Sequence, residues 1–191
     1  PTPRKSVKDA VANTGTIEAK TVVMSAKTAA DLFENAVNQA GVVKATGMSE
    51  EGGVIRIRAN RDIQVSGTLD ASAGGIRVAS DGSIAVRAEL KAFGNTEVSA
   101  GRDIAVNADI AVTDGDLSLL ADADLDGTGA FLQAAGTRIS TAGRGTITIQ
   151  SSGLSRLANI VSAGDLILKQ GGAAATFIQQ PMMRVGPGQA V

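Results

Sequence analysis

The chain has 191 residues and a formal net charge of −1, so it can bury a core, and its charge gives no reason to expect nucleic acid or an anionic membrane as partner. It contains no His and no Cys, which removes disulfides, thiolate nucleophiles, imidazole bases and His/Cys metal sites together. Aromatics make up 2%, all four of them Phe, against 23 Gly, a balance that suits a thin solenoid better than a globule with a deep centre.

The opening Pro1-Thr2-Pro3-Arg4 lacks an initiator Met and a signal peptide, and reads as an excised piece or a processed product. Lys5 to Ala12 is expected to form one helical turn or two. Ile17, Val43 and Leu69 then mark two early coils of 26 residues each. In the first, the excess falls at residues 27–36, where Ala29, Leu32, Phe33 and Ala36 sit at helical spacing and predict a short helical insertion near 28–36. In the second, the excess is the loop from Thr46 to Gly53.

From Ile57 onward the chain becomes periodic. Ile57, Val78, Val98, Leu119, Ile139 and Ile160 are separated by 21, 20, 21, 20 and 21 residues. Ile63, Ile84, Ile104, Leu125, Ile147 and Leu166 form a second column, and Leu69, Leu90, Ile110 and Phe131 a third, with Leu154 a looser continuation. Around each column residue apolar and polar positions alternate, as in Ile63-Gln64-Val65, which means strand with one buried face. Asn60-Arg61, Asp81-Gly82, Gly101-Arg102 and Asp122-Ala123 occupy equivalent corners between the first two columns.

Three short strands and three corners per 20–21 residues predict an all-β chain, a right-handed parallel β-helix of about 7 coils over residues 1–170. Residues 171–191, where the pattern fades into Gly171-Gly172 and a Gly/Pro tail, are read as a cap, a linker or the start of a further segment. No apolar run reaches the ~18 residues of a membrane span, so membrane insertion is not expected.

Several segments resemble the filamentous haemagglutinin family of two-partner-secretion exoproteins. They are Asn13 to Ala19, Val22 to Lys27, Ala36 to Ala45, Gly52 to Ile57 and, above all, Ile63-Gln-Val-Ser-Gly-Thr-Leu-Asp-Ala-Ser72. The likeness is strongest over residues 10–75 and looser to about 170. It implies a β-helix secreted to the Gram-negative cell surface through an outer-membrane pore, serving adhesion. The family's Asn-Pro-Asn-Gly-type secretion motif is absent, so the expected place is shaft downstream of the secretion domain. The expected partners are other coils of the same chain, neighbouring copies and, through other regions, a receptor or glycan.

The sharpest local motif is Asp122-Ala-Asp-Leu-Asp-Gly127, which matches the opening of a calcium loop, with Asp122, Asp124 and Asp126 as candidate ligands. Against a calcium site, the twelfth position is Gln133 rather than a bidentate Glu, and Leu125 falls on an interior column. A solvated corner is therefore the expected reading, with calcium as the one candidate ion and no other cofactor. Asp62, Asp103, Asp124 and Asp165 precede second-column residues and resemble the acid row of β-helical pectate lyases, but Ser83 and Thr146 interrupt them. Gly52-Gly53, Gly74-Gly75 and Gly171-Gly172 read as corners, since none opens a phosphate-binding helix. The chain is expected to be no enzyme. The alternatives are a self-assembling extracellular filament or matrix component, and a β-helical polysaccharide lyase or hydrolase.

Overall fold

The computed structural model describes residues 7–27, 33–46, 53–171, 177–179 and 183–185. The first coil is β1 (Val7–Asn13), β2 (Thr16–Ala19) and β3 (Thr21–Ala26), and the second is β4 (Phe33–Gln39), β5 (Val42–Ala45) and β6 (Val54–Ala59). The third is β7 (Ile63–Val65), β8 (Leu69–Ala71) and β9 (Ile76–Ser80), and the fourth β10 (Ile84–Val86), β11 (Leu90–Ala92) and β12 (Thr96–Ala100). The fifth is β13 (Ile104–Val106), β14 (Ile110–Val112) and β15 (Leu117–Ala121), and the sixth β16 (Phe131–Gln133), β17 (Arg138–Thr141) and β18 (Ile147–Ser151). The seventh is β19 (Ser155–Leu157), β20 (Asn159–Ser162) and β21 (Leu166–Gln170), after which β22 (Phe177–Gln179) and β23 (Met183–Val185) continue past position 170.

Every third strand pairs in parallel with its equivalent one coil on, giving sheets of eight, eight and seven strands. This is a parallel β-helix. Its cause is visible in each strand: Ile63, Ile84 and Ile104 stack on one another, as do Val65, Val86 and Val106, while Gln64, Ala85 and Ala105 between them face out. The inward apolar residues of the middle coils are 0–3% exposed, and each buried Ile, Val or Leu contributes about 1.5–3 kcal/mol relative to exposure. A coil buries its apolar set only against its neighbours, so stability accumulates along the axis.

The early coils follow the expected register: Ile17 pairs with Val43, and Val43 with Leu69. The expected helices do not. Phe33 to Ala36 belong to β4, which lies along β1 with Asn35 opposite Asp9 and Val37 opposite Val11. Val7 to Ala12 likewise lie in strand β1. Helical spacing over a few residues is a weak signal, and a full parallel ladder with buried Ala36 and Val37 outweighs it. Residues 28–32 and 47–52, the rest of the predicted insertion and most of the predicted loop, lie outside the described residues.

The three predicted columns hold through Leu119, Ile104 and Ile110 and then slip by one sheet. Leu119 pairs with Ile149 rather than Ile139, Ile104 with Phe131 rather than Leu125, and Ile110 with Ile139 rather than Phe131. The reason is a coil of about 30 residues, with Leu117 opposite Ile147, that follows coils of 20 or 21. An apparent 21-residue repeat across it lands on the preceding sheet, whose strands are also apolar and alternating.

Candidate functional site

The candidate metal residues sit where the widened coil begins. Corners between the third and first sheets are residues 60–62, 81–83 and 101–103, but the next one spans residues 122–130. It starts as its predecessors do, with Ala123 N–H donating to Ala100 and Asp122 N–H to Arg102. The backbone then turns through left-handed conformations at Asp122 (φ 56°), Leu125 (φ 59°) and Gly127 (φ 91°). Leu125 is 74% exposed, so it is the tip of this loop and no part of an interior column.

Asp122, Asp124 and Asp126 do come together, each offering a carboxylate oxygen within 4.8 Å of the others. Their environments differ. Asp122 is buried at 1% exposure, whereas Asp124 and Asp126 are exposed. Burial pushes the Asp122 carboxyl up, but the opposing hydrogen bonds outweigh it: the Ser152 hydroxyl and Gly127 N–H donate to it, and the Asp124 side chain and Asp126 backbone add to the effect. Its pKa therefore lies below the ordinary aspartate range. Asp126 accepts from the N–H and hydroxyl of Thr128 at 2.8 and 2.5 Å. Two of the three carboxylates are thus engaged in holding the loop. Gln133 stands in the interior, where its amide donates to Thr137 O at 3.1 Å and Asn159 O at 3.3 Å and accepts from Ala158 N–H at 2.9 Å. It closes the widened coil from inside and supplies no twelfth ligand.

The acid row dissolves into a structural device. Asp62 accepts the N–H of Ser83 at 2.9 Å, and Asp103 that of Ala130 at 2.8 Å. Ala130, not Asp124, occupies the rung beyond Asp103, and Asp165 precedes a strand of the third sheet. The same bond recurs at the other corners: Asn95 accepts from Asp116 N–H at 3.0 Å, Asp109 from Arg138 N–H at 2.8 Å, and Asp116 from Thr146 N–H at 2.9 Å. Each of these Asx side chains stands just before a strand and takes the donor at the equivalent corner one coil on. Sequence reading missed Asn95, Asp109 and Asp116, although an Asp or Asn immediately before an apolar alternating triplet is a signal it could have used.

The Gly74-Gly75 pair is explained by close approach between rungs, while Gly52 and Gly172 of the other two pairs lie outside the described residues. A Cβ on Gly74 would lie 2.1 Å from Gly53 O, and one on Gly75 2.4 Å from Asn95 O. No helix among the described residues is long and apolar enough to cross a membrane. No protein-family model, no curated protein and no solved structure matches the chain.

Proposed function

We propose that the chain is a structural segment of a large secreted exoprotein, displayed on the surface of a Gram-negative bacterium, and that it serves as a rigid shaft for adhesion. The observation that carries this reading is the unbroken rung-on-rung pairing of the sheets from β1 to β23, which makes a stiff, extendable column. The sequence likeness to filamentous haemagglutinin-type exoproteins supports the surface location, export through an outer-membrane pore, and receptor or glycan contact through other regions of the protein. Two of the four acids that suggested a catalytic row, Asp62 and Asp103, cap backbone N–H groups, and Asp165 stands on a different sheet, which favours a non-enzymatic role.

Thr113 is exposed in a chain that has no Cys, so a Thr113→Cys variant in the producing cells, compared with the unsubstituted protein, reports whether this segment is on the surface. Labelling of intact cells by a membrane-impermeant maleimide is the expected result. Labelling only after lysis overturns the surface reading. The same proposal treats residues 122–127 as a self-capped corner, so millimolar calcium should leave the melting temperature unchanged. A rise that is lost in Asp124→Asn would reassign the loop to a metal.

A further inference from the structure

The outward face of the third sheet is divided in charge along the shaft. Strand alternation points Arg56 and Arg58 of β6, Arg77 of β9, Glu97 of β12, and Ser118 and Leu120 of β15 away from the interior. The register stacks Arg56, Arg77, Glu97 and Ser118 in one row and Arg58, Ala79, Ser99 and Leu120 in another, at about 4.8 Å per rung. The corners on either side of β15 add Asp116 and Asp124, and both line hollows of this face. The second and third coils are thus its basic half, and the fourth and fifth its acidic half. A single chain leaves this division poorly satisfied. Arg56 lies beside Arg77, and Glu97 holds only Arg77, at 2.5 Å, while Arg56 and Arg58 form no ion pair with any described residue. Apolar side chains gather here too: Val23, Phe93 and Ile167, 64%, 45% and 40% exposed, all stand on or beside this face.

We propose that this face pairs with the same face of a second copy, antiparallel, about a two-fold axis running along the strands between β9 and β12. Such an axis sets the third coil against the fourth of the other copy, and the second against the fifth. Arg77 then meets Glu97 of the second copy, and Arg56 and Arg58 meet the rung flanked by its Asp116 and Asp124, each contact occurring twice. Phe93 comes over Ala73, the small residue at the equivalent corner one coil earlier. Val23 comes against Thr148, with Ile167 one rung beyond. A parallel pair would set each half on its like, and a polyanion or a polycation would be repelled by one half or the other. Asp81 on the basic half, and Lys20 facing Arg144 on the outer rungs, stand outside the match. With six rungs overlapping, the face covers about 500 Å² on each copy and roughly 1,000 Å² for the pair, the lower limit of a specific interface. The dimer is therefore weak and reversible. The inference rests on the parallel β-helix and not on the cell-surface reading, so surface labelling could fail while the dimer still forms.

Sedimentation equilibrium of the folded chain over a range of concentrations tests it, together with cross-linking. The mass should rise with concentration toward twice the 19.2 kDa of one chain, and less steeply as salt is raised. Arg77→Glu should weaken dimerisation at least about tenfold, Phe93→Ala severalfold, and Arg156→Gln, on the first sheet, not at all. Arg77→Glu/Glu97→Arg exchanges the charges across the axis and should restore dimerisation to within about threefold of the parent. All variants should keep the parent melting temperature, because these side chains lie outside the core. A short bis-maleimide should join Val23→Cys to Thr148→Cys in a mixture of the two variants and neither variant to itself, since like positions of an antiparallel pair lie several rungs apart. A chain that stays monomeric overturns the proposal and leaves the face to a different partner. So does association that survives Arg77→Glu or is not restored by the exchange, as contact through another surface would give, and so does cross-linking of Val23→Cys to itself.

Discussion

The third to fifth coils and the sixth are built from the same kind of strand but close in different ways. Coils three to five turn from the third sheet to the first in residues 60–62, 81–83 and 101–103, and their inward positions are almost wholly Ile, Val, Leu and Ala. The sixth coil enlarges all three of its corners, at residues 122–130, 134–137 and 142–146. Every left-handed residue among those described, Asp122, Leu125, Gly127, Gly136 and Gly143, falls within it. Its interior and that of the coil above turn polar, with Gln133, Thr141, Ser151, Ser155 and Ser162 all buried. The difference shows what corners do. At a tight corner the parallel ladder, one Asx side chain and at most a single hydroxyl, as Ser80 to Arg61 O at 2.6 Å, satisfy the backbone, so the interior stays almost wholly apolar. A wide corner leaves carbonyls facing in, and a hydroxyl and an amide meet them: Thr141 donates to Gly145 O at 2.6 Å, and the Gln133 amide to Thr137 O at 3.1 Å.

The largest expected effect breaks the dry region. Ile104→Asp puts an unpaired charge where exposure is 0%, a change worth more than about 3 kcal/mol, and thermal melts should show the surrounding coils lost. Thr148→Asp, on an outward position, should cost little, and equal losses at both sites would contradict the alternation.

Next in size is the polar closure of the wide corner. Asp122→Ala removes the acceptor of Ser152 and Gly127 and should cost about 2–3 kcal/mol in a denaturant titration. The carboxyl's folded pKa lies below its unfolded value, so its contribution is fully present above the ordinary aspartate range and is lost as pH falls through the lowered value. Asp122→Asn should therefore flatten the acid limb of the stability profile. An unchanged limb would show that another group governs it.

The smallest effect sharpens the boundary. Leu125→Ser, at 74% exposure, should change the melting temperature by no more than measurement error. A loss comparable to Ile104→Asp would return Leu125 to the interior.

Most of the fold is legible in the alternation and return of Ile, Val and Leu through residue 121. The register beyond it is not, because the insertions of the sixth coil together fall close to one sheet's displacement, and every sheet presents the same apolar alternation. Leu125 shows the failure most plainly, as an apolar residue at the right interval that stands on a loop tip. The cluster of Asp122, Asp124 and Asp126 is legible as a motif, yet its burial asymmetry depends on Ser152, 30 positions on, which no local pattern announces. Phe33 and Ala36 misled toward helix because β1, the strand that captures them, lies 26 positions earlier.

The most direct test of the widened coil is disulfide trapping in the otherwise Cys-free chain. Ser118 and Thr148 are outward neighbours on adjacent rungs, at a spacing of about 4.8 Å that a disulfide tolerates. Ser118→Cys/Thr148→Cys should oxidise quantitatively without loss of stability, and Ser118→Cys/Arg138→Cys, which an unbroken 20-residue repeat would pair, should not. Cross-linking of the second pair in place of the first would contradict the register on which the shaft is built.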